Sequence, residues 1–291
     1  MPELPEVETI RRGLEGLIVG RKITAAVSDT PKSFPNAAEN VEAFLVGAAI
    51  TGVRRRAKVL LIDLSTNYSL VIHLKMTGQL VYVDASARFG AGHPNESLIH
   101  SLPDRSTRVT FGLAPSATLY FNDQRKFGWV RLMPTAEVPS LPFMLKVGPE
   151  PLEAAFTPDV FMARFSRRPR AKVKAALLDQ TVIAGVGNIY ADESLWLAQI
   201  HPQRLVGSLS KDELSSLYSA VREVMNLSIE KGGSTDKNYV AADGRAGTYL
   251  QHANVFRKEG TPCPRCGAPI IKTKVAGRGT HVCTVCQSEP K

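Results

Sequence analysis

All four cysteines of this 291-residue chain lie in its last 29 residues, as Cys263-x-x-Cys266, then sixteen residues, then Cys283-x-x-Cys286. This spacing constrains the fold more than any other feature. Each short turn can present two thiolates to a common point, so the two pairs predict one tetrahedral Zn2+ held by Cys263, Cys266, Cys283 and Cys286. Four thiolates leave no coordination position for water, which makes the predicted zinc structural. Two disulfides are the alternative. No stretch approaches a membrane-spanning length, and the start lacks a basic region followed by an apolar core, so a cytoplasmic protein with no membrane partner and with reduced thiols is expected.

The length suffices for two compact domains, or two and a small module. Residues 5–18 read as a helix, because Val7, Ile10, Leu14 and Leu17 recur at helical spacing. Strand-like runs rich in Val, Ile, Leu and aromatics follow at 23–28, 49–64, 68–83, 108–113, 118–123 and 128–133, with a short helix near 40–46 and a long loop over 84–107. Residues 135–157 are Pro-rich and read as a linker. Helical patterns then take over: Thr157 precedes a helix at 158–166, LLDQ ends another, and Ser210 with Glu213 forms a capping box opening a helix to Lys231. The fold class is α+β and multidomain, divided at 1–134, 135–157, 158–260 and 261–291.

Lys and Arg number 36 against 27 acids, a net charge of +9. The excess is concentrated: residues 164–174 (RFSRRPRAKVK) hold six basic side chains and no acid, and residues 257–291 hold seven against two. Such clustering suggests a polyanionic partner, against the plainer alternative of a solvated basic face.

The opening residues MPELPE carry a second chemical signal. Removal of Met1 leaves a proline secondary amine with Glu3 and Glu6 close behind it. An α-amino group is roughly 10% neutral at pH 7, whereas an ordinary lysine is below about 0.1%. Pro2 is therefore the better-poised nucleophile for a Schiff base with a sugar carbon, with neighbouring acids to protonate a leaving group or opening ring. The alternative is that Pro5 starts a helix whose first turn carries acids complementing its dipole. Lys58, in RRRAK at the mouth of an apolar strand run, is a further candidate, for catalysis or for phosphate. Gly185-x-Gly187-x-x-Tyr190 lacks the third glycine of a dinucleotide site and sits among helices. It reads instead as a tight turn feeding a helix, where amides and Asn188 can bind phosphate.

MPELPEVETIRRGL resembles the N-terminus of the formamidopyrimidine-DNA glycosylase family, bacterial repair enzymes that excise oxidised purines and then cut the strand. The likeness recurs in RRRAKVLLIDL, IHLKMTGQL, LLDQTVIAGVGNIYADESLWLAQIHP and the cysteine module. It implies a two-layered β-sandwich with an N-terminal helix, a helical domain with a helix-two-turns-helix motif, and a zinc finger hairpin. The expected partner is double-stranded DNA containing oxidised bases, met by a monomer in the bacterial cytoplasm. By this resemblance Pro2 attacks the sugar, Glu3 supplies the proton that opens it, Glu6 supports the site, and Lys58 serves the lesion and β-elimination. The finger arginine Arg278, counted with the catalytic set, and Asn188 hold phosphate. His73, Arg170 and Lys174 match further backbone contacts. Met76, Arg125 and Phe127 match the residues that fill the gap left by an extrahelical base, although Met76 and Phe127 taken singly also fit a core.

Some positions depart from the family pattern. Ser106, Thr107, Arg108 and Val109 stand where a histidine motif is usual, DQRKFG with Gln124 replaces DPRRFG, and Val255, Phe256, Arg257 and Lys258 replace VYGR. Residues 232–249 resemble the loop over the everted base, with Asp236 and Lys237 leaving lesion preference open. Two other readings stay open: an endonuclease VIII type glycosylase for oxidised pyrimidines, whose N-terminus reads MPEGPE, and a non-catalytic zinc DNA-binding protein.

Overall fold

The structure is a computed structural model, and it describes residues 2–93, 95–234 and 247–289. The chain forms two compact units, residues 1–145 with 231–248 and residues 146–230 with 249–291. Among the described residues no helix is long and apolar enough to cross a membrane.

The first unit opens with α1 (Leu4–Ile18). Glu3 caps it, and a reciprocal capping box joins Glu3 and Glu6, with the Glu3 amide donating to Glu6 Oε2 at 2.8 Å. The buried stripe runs Val7, Ile10, Leu14 and Ile18. Leu17 is only half-buried; Ile18 takes its place because a straight helix repeats nearer 3.6 than 3.5 residues. Gly13 lets the helix approach closely: a Cβ there would lie 2.2 Å from the Phe89 ring.

Among the described residues nine strands follow: β1 (Ile23–Val27), β2 (Ile50–Arg56), β3 (Val59–Leu64), β4 (Tyr68–His73), β5 (Gly78–Val83), β6 (Arg88–Gly92), β7 (Thr107–Leu113), β8 (Ala117–Asp123) and β9 (Trp129–Pro134). They make two antiparallel sheets, ordered β1-β7-β8-β5-β6 and β2-β3-β4-β9. Two of the expected runs are split. Residues 49–64 become a hairpin through the two-residue link Ala57 and Lys58, with Ala57 at φ 53. Residues 68–83 break at 74–77, where Lys75 has φ 52, and the halves join different sheets. The expected loop at 84–107 contains β6 and a short 3-10 turn, Glu96–Leu98. Near 40–46 a short α2 (Ala38–Asn40) runs into a π-helical turn, Val41–Leu45.

The continuous apolar runs of β3 and β4 arise because both faces are covered. Leu60, Ile62, Leu64, Leu70 and Ile72 point into the core shared with α1 and the five-stranded sheet. Val59, Leu61 and Val71 point the other way, onto Val138 and Met144. Those two come from the Pro-rich stretch after β9, which forms a 3-10 helix (Thr135–Ser140) and α3 (Pro142–Lys146). Part of the sequence expected to link thus caps a sheet.

The second unit contains α4 (Pro158–Phe165), α5 (Val173–Leu178), α6 (Asn188–Leu197), α7 (Lys211–Glu230), α8 (Tyr249–His252) and the hairpin β10 (Ile271–Val275) with β11 (Arg278–Val282). Thr157 accepts from the Val160 amide at the start of α4. The Ser210 and Glu213 box forms as expected, with bonds of 2.7 and 3.1 Å. Between α5 and α6, Gln180 closes the turns by accepting from the Gly185 amide at 2.9 Å and donating to the Val186 carbonyl at 2.8 Å. Gly185 sits at φ 80, a left-handed conformation open to glycine.

Candidate active site and metal centre

Pro2, Glu3 and Glu6 are buried where α1 begins. Glu6 is held from two sides: Oε2 takes the Glu3 amide, and Oε1 takes the Ser234 amide at 2.9 Å and hydroxyl at 2.7 Å. Ser234 was not anticipated from the sequence. A serine 228 residues from its partner leaves no local signal.

Lys58 is buried in the β2–β3 link, not inside a strand. It lies near His73 at the end of β4. Burial of the imidazole, with the charges of Lys75 and Lys58 beside it, pushes His73 down to about 3. The ring is therefore neutral near pH 7, and since Nδ1 accepts from the Lys75 amide at 3.0 Å, the proton resides on Nε2.

Met76 and Phe127 are 37% and 46% exposed, so neither is a core residue. Met76 lies on the 74–77 turn, while Arg125 and Phe127 lie on the loop after β8, with the Arg125 guanidinium 4.7 Å from the Phe127 ring centroid. Asp123, at the end of β8, joins the two segments. It accepts from the Thr77 hydroxyl and from the amides of Arg125 (3.1 Å), Phe127 (2.8 Å) and Gly128 (2.6 Å). The sequence reading missed Asp123. An acid ending a strand just before an Arg and Gly loop is the signal that could have found it. Arg108, at one of the departures from pattern, is buried and binds the carbonyls of Asp123 (2.8 Å) and Arg105 (3.0 Å).

In the second unit Arg170 and Arg278 are exposed. Lys174 is not placed as a surface phosphate contact: it is 0% exposed, and its ammonium meets Asp192 at 2.7 Å, the Gly279 carbonyl at 3.0 Å and Thr280 Oγ1 at 2.6 Å. A buried lysine must be paired in this way, because stripping water from a charge is costly. Asn188, the first residue of α6, donates to the same Gly279 carbonyl at 3.0 Å. One of its two amide hydrogens remains to be offered elsewhere. Together they fix the backbone beside Arg278, which follows a two-residue turn at Ala276 (φ 50) and Gly277 (φ 77).

The four cysteine sulfurs lie within 4.8 Å of one another. Cys263 and Cys286 are 3.9 Å apart, and Cys266 and Cys283 3.4 Å. A tetrahedral zinc with bonds of about 2.3 Å separates its sulfurs by about 3.8 Å, so the donor set fits the metal. Its chemistry agrees. Burial opposes ionisation of Cys263, but donors including Trp196 Nε1 at 3.4 Å outweigh it and bring the thiol down to about 6. Burial and the neighbouring sulfurs push Cys286 up to about 12 and raise Cys283. Sulfurs this close oppose one another's ionisation unless a cation lies between them, and one structural Zn2+ supplies it. The finger packs through Cys263, Ile270 and Cys283 onto Trp196 of α6 and Val255.

Three family models match successive parts of the chain: the formamidopyrimidine-DNA glycosylase N-terminal domain over residues 1–130, its H2TH domain over 147–239, and the zinc finger found in FPG and IleRS over 260–288. The chain belongs to the formamidopyrimidine-DNA glycosylase family. Relatives of that name from Pelotomaculum thermopropionicum and Herpetosiphon aurantiacus are 43% and 44% identical, with 99% of this chain covered in each case and 99% and 100% of theirs. Among solved structures, a Lactococcus lactis FPG mutant complexed with Fapy-dG containing DNA matches with TM-score 0.86 at 36% identity, over 99% of this chain and 100% of that one. An L. lactis Fpg complex with abasic-site DNA matches with TM-score 0.85 at 35% identity, over the same shares. The Asp236 and Lys237 of the loop likened to the family's base-covering segment lie outside the described residues.

Proposed function

We propose that this chain is a bifunctional DNA glycosylase and abasic-site lyase that excises oxidised purines, chiefly 8-oxoguanine and formamidopyrimidines, from double-stranded DNA. The observation that carries this is the full-length family match together with Pro2 and Glu3 at the head of a capped, buried helix start. After loss of Met1, the Pro2 amine attacks the anomeric carbon, the damaged base departs, and an iminium remains. Glu3 protonates the opening deoxyribose. Glu6, fixed by Ser234 and the Glu3 amide, holds the site in register. β-Elimination and then δ-elimination cut the strand, with Lys58 serving the lesion and the β-elimination.

Met76, Arg125 and Phe127 enter the duplex where the damaged nucleotide has left it. His73, neutral with Nε2 carrying its proton, donates to a backbone phosphate, as do Asn188, Arg170 and Arg278. Lys174 acts beneath the surface, holding the Gly279 carbonyl that neighbours Arg278. The protein acts as a monomer in the bacterial cytoplasm.

A panel of duplexes, each with one defined lesion, tests the reading. Duplexes with 8-oxoguanine or formamidopyrimidine should be cut far faster than those with oxidised pyrimidines. The reverse order would assign the enzyme to the endonuclease VIII type, and binding without cleavage would make it a non-catalytic DNA-binding protein. Affinity should fall steeply with salt, because the cationic side chains displace counterions from phosphates. Arg278→Ala should weaken all duplexes alike, by about tenfold for one charge-assisted contact, and should shallow the salt slope. A loss confined to one lesion would place Arg278 at the base.

A further inference from the structure

Met76, Arg125 and Phe127, all exposed, sit on two separate segments of the first unit, and one buried carboxylate joins those segments. Asp123 is 0% exposed. Its Oδ1 takes the Thr77 hydroxyl and the Arg125 amide, and its Oδ2 takes the Phe127 and Gly128 amides. The Thr77 hydroxyl also accepts from the Arg125 amide at 3.1 Å, so turn and loop meet twice. The backbone of Asp123 is fixed as well, by the Ser106 carbonyl on its amide (2.8 Å) and by Arg108 on its carbonyl. A buried carboxylate is tolerable only when its lone pairs are filled, and here its donors come from the two segments that carry Met76, Arg125 and Phe127.

We propose that Asp123 and Thr77 form a latch that makes Met76, Arg125 and Phe127 move into the duplex as one unit, with Asp123 a positioning residue for eversion of the damaged nucleotide. This rests on the reading above that the three side chains fill the vacated gap. Separate segments would each have to be ordered on the DNA. The latch orders them beforehand and so lowers the entropic cost of insertion.

The test uses the full-length, zinc-loaded protein in single-turnover assays, with 8-oxoguanine excision from a duplex measured against cleavage of a duplex holding a pre-formed abasic site. Phe127→Ala should lower the ratio of excision to abasic cleavage, because only excision requires full eversion. Thr77→Val, which keeps the shape and removes the hydroxyl, should lower that ratio about tenfold, and Thr77→Ser should restore it. In a Phe127→Ala background Thr77→Val should change the ratio less than about twofold, because coupled residues are not additive. Thr77→Ala replaces Thr77→Val if thermal unfolding shows that the latter does not fold. An unchanged ratio in Thr77→Val, or an equal fall in both backgrounds, overturns the latch. An unchanged ratio in Phe127→Ala overturns the insertion reading and the latch with it.

Discussion

Blocking the N-terminal amine should abolish both base excision and covalent trapping. If Pro2 is the nucleophile, borohydride reduction during the reaction should join damaged DNA to the N-terminal peptide, because it converts the iminium into a stable amine. A retained Met1 or an uncleaved tag turns the Pro2 nitrogen into an amide without a nucleophilic lone pair, and a loss of about a thousandfold or more is expected. Glu3→Gln should behave differently. Removing a general acid costs about 10²–10⁴ in the step it serves, so excision should fall by that order. A pre-formed abasic site already offers an aldehyde, and its cleavage should be largely spared. An adduct located on Lys58 by mass spectrometry, or full activity in protein with Met1 intact, would reassign the nucleophile.

Loss of the zinc should be the next largest effect. Elemental analysis should find one zinc per chain, and Cys266→Ser should lower the content and weaken binding to every duplex by about a hundredfold. That figure corresponds to loss of Arg278 and one further phosphate contact, each about 1.5 kcal/mol or somewhat more. The effect reaches the DNA through packing. The sulfurs hold the hairpin whose second strand, β11, begins at Arg278, and without the ion nothing draws the four sulfurs to a common point. The first unit has its own core of α1 and two sheets, so its unfolding transition should remain. A zinc-free preparation with full affinity would separate the finger from DNA binding.

Several features were legible because their determinants are local. The helix of residues 5–18, the Ser210 and Glu213 box, the Thr157 cap and the cysteine ligands each depend on partners within a few residues or on a fixed spacing. The family resemblance named the site candidates, but it left open whether Met76 and Phe127 were core, and their exposure answers that. Runs rich in Val, Ile, Leu and aromatics also announced the strands. It did not show that residues 68–83 cross from one sheet to the other at Lys75, because a run buried on both faces has no polar punctuation where it turns.

By itself, then, the sequence determined the helix ends, the strand-forming segments, the excess of positive charge and the metal ligands. Tertiary structure decided the partners of buried charges. Lys174 reads as one more cation in a basic run, yet it is paired with Asp192 and bound to the Gly279 carbonyl 105 residues away. Glu6 could equally have been a solvated first-turn glutamate, but it receives Ser234 from 228 residues away. Asp123 drew no notice and proved to join two loops. The physical reason is common to all three. A local pattern encodes whether a side chain faces inward or outward, whereas the hydrogen-bond partner that makes a buried charge tolerable is supplied by whichever distant segment the completed fold brings beside it.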